Sequence, residues 1–136
     1  MRVLTISQPY ASLIANGEKW VENRRWSTNY RGPLVIHAGK GTQYMTHAEM
    51  REDGLPIGSV VAVCVMLDCV KLTEAHERVK RHAHAEGPWC WILEDVVKLE
   101  TPIQLVGKQG LFKPSDELVT ALSERVALAR FMRGVQ

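Results

Sequence analysis

The chain has 136 residues, of which 46% are hydrophobic and 24% are charged, and its formal net charge is +2. This is ordinary globular composition, and the length fits one domain spanning 1–136. The longest apolar run, residues 60–67, is far shorter than the roughly 20 residues that cross a bilayer, and the N-terminus has no secretory signal pattern. We therefore expect a cytoplasmic protein with no membrane partner.

The three cysteines do not form a recognisable framework. Cys64, Cys69 and Cys90 are an odd number without tight pairing, which argues against a secreted disulfide scaffold. Cys64 and Cys69 are separated by an odd number of residues within a strand-like run, so we expect them on opposite faces, unable to share a bridge or a metal. All three are predicted to be buried, reduced thiols.

Charge is distributed unevenly along the chain. Residues 41–136 have 11 basic and 13 acidic residues, a balance of −2. Residues 1–40 have a balance of +4, from two acidic residues and six basic ones: Glu18 and Glu22 against Arg2, Lys19, Arg24, Arg25, Arg31 and Lys40. An anionic partner would meet this N-terminal part, although the surplus is small enough to be scatter.

The first half of the chain alternates short apolar segments with turn signals. Residues 3–6 predict a strand, after which Ser7 or Gln8 caps a helix that has Pro9 in its first turn and ends at Asn16–Gly17. Residues 19–26 predict a second strand and residues 34–38 a third. A short helix capped by Thr42 follows, to about residue 52.

The second half begins with the strongest strand signal, residues 58–70, which is β-branched and nearly continuous. Such a strand is covered on both faces. The polar segment 73–85 predicts a loose helix. Strands are predicted over 89–99, 103–106 and 111–112, and Ser115 caps a C-terminal helix over 115–133 with acidic residues in its first turn.

These elements predict the α+β class. About six short strands occur, spaced too irregularly for repeated βαβ units. The economical architecture is a small β-barrel or highly curved sheet with flanking helices, onto which the 115–133 helix packs. Trp89 and Trp91 share one strand face and are predicted to pack against that last helix.

Residues 7–40 contain the candidate functional residues. Lys19 and Glu22 have opposite parity on a regular strand, so they converge only if the strand bends or the ligand wraps its edge. The trio Lys19, Glu22 and Arg24 would then bind a ligand: the cations would meet phosphate or base edges, and Glu22 would accept from an exocyclic amine such as that of cytosine. The alternative is a structural salt bridge under the sheet.

Other residues of this region could complete such a site. The helix beginning near Gln8 offers N–H groups to a phosphate, and aromatic side chains such as Trp26 and Tyr30 offer faces for base stacking. Ser12 has no His and Asp partners at recognisable offsets, and residues 38–42 lack the spacing of a phosphate loop. The candidate ligand-binding residues are Ser7, Gln8, Tyr10, Lys19, Glu22, Arg24, Arg25, Trp26, Arg31, His37, Lys40 and Lys108.

The chain resembles a known family through a series of motifs in fixed order over roughly residues 4–113. The motifs are Pro9-x-Ala11, Gly17-x-Lys19-x-x-Glu22-x-Arg24, Arg31-Gly32-x-x-x-Ile36-His37-Ala38, Gly58-x-Val60-Val61-Ala62, Gly87-x-Trp89-x-Trp91 and Gly107-Lys108-Gln109-Gly110-Leu111-Phe112. Each is weak alone, and their order and spacing make the match specific. The sequence is similar to ASCH domains, in the PUA-like superfamily.

The resemblance implies a PUA-like β-barrel with a cleft beside the first helix and a role with RNA, DNA or modified nucleosides. One bacterial member of the family removes the acetyl group from N4-acetylcytidine with a Lys, a Thr three residues later and a central Glu. Lys19 matches the Lys, but Glu22 stands where the Thr would be. The central acid could be Glu74, Glu77 or Glu86.

Three functional hypotheses follow. The first is a monomeric module that binds either a nucleic acid, with RNA favoured over DNA, or a modified nucleoside through a basic cleft beside the first helix. The second is a hydrolase acting on a modified nucleoside or on RNA with Lys19 and Glu22 as catalytic residues. The third is a protein-interaction domain. No cofactor or metal is predicted, because His76, His82 and His84 lack supporting ligands and fit a solvated helix face.

Overall fold

The computed structural model describes residues 1–134, which form one mixed five-stranded sheet and four α-helices. None of the helices in this range is long and apolar enough to cross a membrane. In chain order the elements are β1 (Arg2–Ile6), α1 (Tyr10–Ala15), β2 (Val21–Arg24), β3 (Gly32–Ala38), α2 (His47–Glu52), β4 (Ser59–Lys71), α3 (Glu77–Lys80), β5 (Trp89–Gln104) and α4 (Asp116–Gly134).

The strand order is β1-β3-β4-β5-β2, with β1 parallel to β3 and every other pair antiparallel. β1 and β2 are not paired with each other in residues 1–134, so the sheet stays open between its two edges. The α+β class predicted from the sequence is confirmed. The strand count is five rather than six, because the predicted strand 89–99 continues to Gln104 as the single strand β5 and takes in the start of the predicted strand 103–106, and residues 111–112 form only an isolated bridge from Phe112 to Val3.

Alternating residues of the strands supply two cores on opposite faces of the sheet. On one face, Leu4, Leu34 and Ile36 pack with Ile14 of α1. On the other, Val3 and Val35 pack with Leu118 and Leu122 of α4, whose first turn is capped where the Ser115 hydroxyl accepts from the Leu118 N–H at 3.1 Å. The expected contact of Trp89 and Trp91 with the C-terminal helix is wrong, since both lie with the α1 core.

Register shifts along β4 explain why the prediction that Cys64 and Cys69 lie on opposite faces is wrong. The pairing of β4 with β5 slips at three places, one of them between Met66 and Asp68. The slip between Met66 and Asp68 puts an extra residue into β4 and so reverses the faces of that strand beyond it. Cys64 and Cys69 therefore pack against the same core instead of opposite faces, with Cys64 and Cys90 buried and Cys69 half-buried.

Two helix predictions are also corrected. The cap of α2 is Thr46 rather than Thr42, because Thr46 and Glu49 form a reciprocal capping box. The predicted helix over 73–85 is reduced to a 3-10 turn (Leu72–Glu74) and the four residues of α3. Beyond Lys80 the chain returns irregularly toward β2, since its side chains find partners there instead of a helical face.

Candidate functional site

Two adjacent clefts open near the ends of β1 and β2. The first, cleft 1, has a volume of about 490 Å³ and lies beside α1. Its walls come from three segments: 5–10, 19–25 and 84–88, with Gln43 and Tyr44 closing one side. Six of the residues predicted to bind ligand line this cleft: Ser7, Tyr10, Lys19, Glu22, Arg24 and Arg25.

Lys19 lies in the connection before β2, not on the strand. Its backbone N–H donates to the Leu13 carbonyl at 3.1 Å, which places it one turn beyond α1. The ammonium donates to the Val21 carbonyl of the edge strand and lies 3.4 Å from Glu22 Oε1, although only 2% of Lys19 is exposed. The parity conflict between Lys19 and Glu22 disappears, because only Glu22 belongs to the regular strand.

Glu22 is held between two cations. Its Oε1 faces Lys19, and its Oε2 accepts a hydrogen bond from Arg24 Nε at 2.9 Å and lies 2.8 Å from Arg24 Nη2 in an ion pair. Arg24 Nη2 also donates to the Thr5 carbonyl at 3.1 Å, which ties β2 to β1 across the gap between the sheet edges. The trio is therefore an ion-pair network, as the structural interpretation predicts. It also forms a wall of an open cleft, as a ligand-binding role requires.

Aromatic rings also line cleft 1. Tyr10 meets Tyr44 edge-on, with ring centroids 4.9 Å apart, and lies 6.1 Å from the ring of His84. The Lys19 ammonium is 5.5 Å from the Tyr10 ring centroid, a cation–π distance. The cleft thus presents both charged groups and flat rings.

Asn23 organises the loop that closes cleft 1, a role that the sequence reasoning missed. Its Oδ1 accepts from the N–H groups of Glu86 and Gly87, both at 2.9 Å, and its Nδ2 donates to the His84 carbonyl at 2.8 Å. The signal available in the sequence was its position between Glu22 and Arg24, in a segment already singled out. Through this loop Glu86 reaches cleft 1.

The three candidates for the central acid are separated by the structure. Glu86 lines cleft 1, whereas Glu74 lies in the 3-10 turn and Glu77 begins α3, and neither of them lines either cleft. His76 is exposed at the N-cap of α3, but His82 and His84 are not on a solvated helix face. Both of the latter lie beyond α3: His84 lines cleft 1, and His82 packs 4.4 Å from Trp20 and accepts its backbone N–H at 3.1 Å.

The second cavity, cleft 2, has a volume of about 680 Å³ and lies on the other side of Arg24. It is bounded by residues 37–40, Gly58 and the loop 105–110. Five of the predicted ligand-binding residues line it: Arg24, Trp26, His37, Lys40 and Lys108. Thr5 and Arg24 line both clefts, so the two are neighbours along one surface.

His37 holds the floor of cleft 2. The Leu105 carbonyl can only accept, so His37 Nε2 carries the hydrogen that it donates over 2.6 Å, and Nδ1 accepts from the Thr5 hydroxyl at 3.0 Å. Burial lowers the pKa of His37, partly opposed by the Leu105 hydrogen bond, which suits a neutral ring. Gly107 lies so close that a Cβ there would be 2.8 Å from both the His37 ring and the Thr5 hydroxyl.

Two predicted ligand-binding residues lie elsewhere, and the structure corrects them. Gln8 is fully buried: its Nε2 donates to the Ser12 hydroxyl and the Pro56 carbonyl, and its Oε1 accepts from the Ser12 N–H. Arg31 pairs with Asp68 at 3.1 Å and lines neither cleft. Both side chains are committed to contacts that a sequence pattern does not reveal.

The start of α1 offers few free donors to an anion. The helix has only six residues, and three N–H groups of its first turn are already used. Ala11 donates to the Ser7 carbonyl, Ser12 to Gln8 Oε1 and Leu13 to the Pro9 carbonyl. A phosphate would find these donors occupied, so charge recognition falls to the side chains of the clefts.

The family model described as the ASCH domain matches residues 4–103, which is most of the chain and includes the trio Lys19, Glu22 and Arg24. The chain belongs to the ASCH domain family. None of the curated proteins matches it. Among solved structures it is similar to the ASCH protein of Zymomonas mobilis, at 17% identity and a TM-score of 0.59, with 90% of this chain and 93% of that chain covered.

Two variants of the same Zymomonas mobilis protein give similar matches. A serine-to-alanine variant has 19% identity and a TM-score of 0.62, covering 90% of this chain and 94% of that one. A tyrosine-to-phenylalanine variant has 18% identity and a TM-score of 0.62, covering 90% and 96%. At such identities the likeness shows the fold, and the ASCH fold of this chain is PUA-like.

Proposed function

We propose that this ASCH domain binds a nucleotide base in cleft 1, in RNA in preference to DNA. The observation that carries the proposal is the Glu22 carboxylate, 7% exposed, oriented by Lys19 on one oxygen and Arg24 on the other at the wall of a cleft of about 490 Å³. Membership of the ASCH family supports nucleic acid as the ligand class. The preference for RNA rests on that family resemblance.

The chemistry of Glu22 defines which groups fit. An ionised carboxylate only accepts hydrogen bonds, and each oxygen has more than one lone pair. Oε1 and Oε2 each have a cation fixed on one side, so their remaining lone pairs can accept an N–H from the ligand. The exocyclic amine of cytosine is such a donor. Tyr10 and Tyr44 supply aromatic surface for the flat base.

Affinity measurements with matched charge variants test this proposal. We expect Glu22→Gln to weaken cytidine binding by about 5- to 150-fold, which corresponds to the roughly 1–3 kcal/mol of a good base contact. Glu18→Gln removes the same charge from an exposed position outside both clefts and serves as the control. Equal affinity of Glu22→Gln and wild type, in a variant that melts as a folded protein, would contradict base recognition by Glu22.

Glu86 favours a second candidate function, hydrolysis of an N4-acylated cytidine. Lys19, Glu22 and Glu86 all line cleft 1, so one cation and two carboxylates surround the same space. Water would add to the acyl carbonyl, the C–N bond would break, and the proton taken up by a carboxylate would pass to the departing N4 amine. Lys19 is held in an ion pair, which suits stabilisation of the oxyanion better than nucleophilic attack.

A turnover assay separates the two candidates. Wild type, Lys19→Ala, Glu22→Ala and Glu86→Gln are incubated with a panel of N4-acylated cytidines and short RNAs. Turnover by wild type that is lost in the Lys19 variant, with the fold intact, would establish the hydrolase. Binding without turnover would leave a recognition module, and the absence of both would favour the protein-interaction hypothesis.

A further inference from the structure

Cleft 2 differs from cleft 1 in its charge. The cationic side chains of Arg24, Lys40 and Lys108 line it, and none of the described residues along its walls is acidic. In cleft 1, Glu22 and Glu86 offset the cations. Cleft 2 is therefore suited to an anionic ligand, because no carboxylate in its walls would repel it. Lys and Arg bind phosphate groups in such surroundings.

Lys40 and Lys108 of cleft 2 belong to segments that close contacts hold in place. The stem of Lys40 crosses Gly58 so closely that a Cβ at that position would be 2.5 Å from Lys40 Cε. Across the cleft, the loop with Lys108 is fixed by the His37–Leu105 hydrogen bond and by the close approach of Gly107 to His37. Lys40 and Lys108 therefore extend from two fixed segments that border the same cleft.

Cleft 2 also offers an aromatic face. Trp26 is 41% exposed, and its ring packs edge-on against Trp91 with centroids 4.8 Å apart. This contact fixes the ring while leaving surface open to the cleft. Stacking on such a ring increases the affinity for a nucleic acid whatever the identity of the stacked base. Cations with an adjacent aromatic ring form the combination that binds single-stranded nucleic acid.

Arg24 joins the two clefts. Its Nε and Nη2 are engaged by Glu22 and Thr5, and the described residues give its Nη1 no partner. Its side chain is 25% exposed and lines both clefts. A phosphate bridging one nucleotide in cleft 1 to the next in cleft 2 would pass this guanidinium.

We infer that cleft 2 binds the nucleotide adjacent to the one in cleft 1, so that the ligand is a single strand of at least two nucleotides and not a free nucleoside. The inference rests on the proposed base recognition in cleft 1. It extends that recognition by a subsite in which Lys40, Lys108 and Arg24 meet phosphate and Trp26 stacks a base. The contacts of this subsite are largely independent of sequence, so it adds affinity and leaves base selection to Glu22.

The experiment compares cytidine with the RNA tetranucleotide of cytidine. We expect wild type to bind the tetranucleotide at least tenfold more tightly, and Lys40→Gln/Lys108→Gln to lose most of that gain while binding cytidine within about twofold of wild type. Loss of two phosphate contacts lowers the slope of log affinity against log salt by about 1.4 for a single strand. The double variant Lys80→Gln/Lys113→Gln removes equal charge outside both clefts and is the control.

Each outcome decides a different statement. Cytidine bound by wild type as tightly as the tetranucleotide would overturn the subsite and leave the proposed function standing. Equal losses for both ligands in Lys40→Gln/Lys108→Gln would also overturn it. Binding of neither ligand by wild type would overturn the proposed function and the subsite together. Displacement of the tetranucleotide by hexaglutamate at similar concentration would assign cleft 2 to an acidic protein partner instead.

Discussion

The ion-pair network predicts that one double variant is more stable than one of its parents. Glu22→Leu leaves the Lys19 ammonium, 2% exposed, without its counter-ion, and it frees Arg24, which reaches solvent. Lys19→Met removes the buried charge itself and leaves Glu22 paired with Arg24. The two single variants therefore differ in whether an uncompensated charge stays buried.

The magnitudes follow from these contacts. Stranding a buried charge by removing its partner costs about 3–5 kcal/mol in the free energy of unfolding. Lys19→Met deprives the Val21 carbonyl of its donor, a loss of about 1–3 kcal/mol. Adding Lys19→Met to Glu22→Leu removes the stranded ammonium, so we expect the double variant to be about 2 kcal/mol more stable than Glu22→Leu alone.

Urea unfolding of wild type, both single variants and the double variant gives the coupling energy directly. Lys80→Met, at an exposed lysine whose nearest carboxylate is 3.9 Å away, is the control and should change stability by less than about 1 kcal/mol. A double variant less stable than Glu22→Leu would refute the reasoning, because it would mean that Lys19 stabilises the fold without needing Glu22.

Three further predictions concern single side chains. Burial lowers the pKa of His37 below 6.5, so the unfolded chain binds more protons than the folded chain as the pH falls through 6.5. Stability should therefore drop as the pH falls from neutral through 6.5, and it should drop less in His37→Gln; equal losses in the two proteins would contradict the assignment. Asn23→Ala removes three hydrogen bonds to the loop that contains Glu86. We expect the free energy of unfolding, measured in urea, to fall by about 2–3 kcal/mol and cytidine binding to weaken, with partial rescue of both in Asn23→Asp. Burial raises the pKa of Cys64 to about 12. A thiol reagent at neutral pH should therefore label the half-buried Cys69 first, and Cys64 only after unfolding. Rapid labelling of Cys64 in the folded protein would contradict its burial.

Strong local patterns predicted the elements that form the sheet. Residues 58–70 were predicted as a strand because a nearly continuous β-branched run has few other ways to be buried, and β4 covers Ser59–Lys71. The run 73–85 has no such pattern. Its polar side chains do not define one face of a helix. Tertiary contacts, such as that of His82 with Trp20, determine the path of this segment instead.

The candidate site was predicted in part. The trio Lys19, Glu22 and Arg24 is predicted because its charged residues are dense and their spacing matches the ASCH motif. Gln8 and Arg31 were drawn into the same prediction by proximity in sequence, yet Gln8 is buried on Pro56 and Arg31 pairs with Asp68. Such pairings join residues tens of positions apart, and no local pattern contains them.

The sequence by itself indicated the family and the α+β class and singled out Lys19, Glu22 and Arg24 as candidates, because ordered motifs and local periodicity are properties of neighbouring positions. Only the tertiary structure decided that cleft 1 and cleft 2 lie side by side, that Arg24 lines both, and that Glu86 rather than Glu74 or Glu77 enters the first. The physical reason is that β1, β2 and the loop 105–110 meet in a sheet where β1 pairs with β3 and β2 pairs with β5, across tens of residues of sequence. That packing depends on the whole core, so the neighbours of each charge are set by it and not by the adjacent residues.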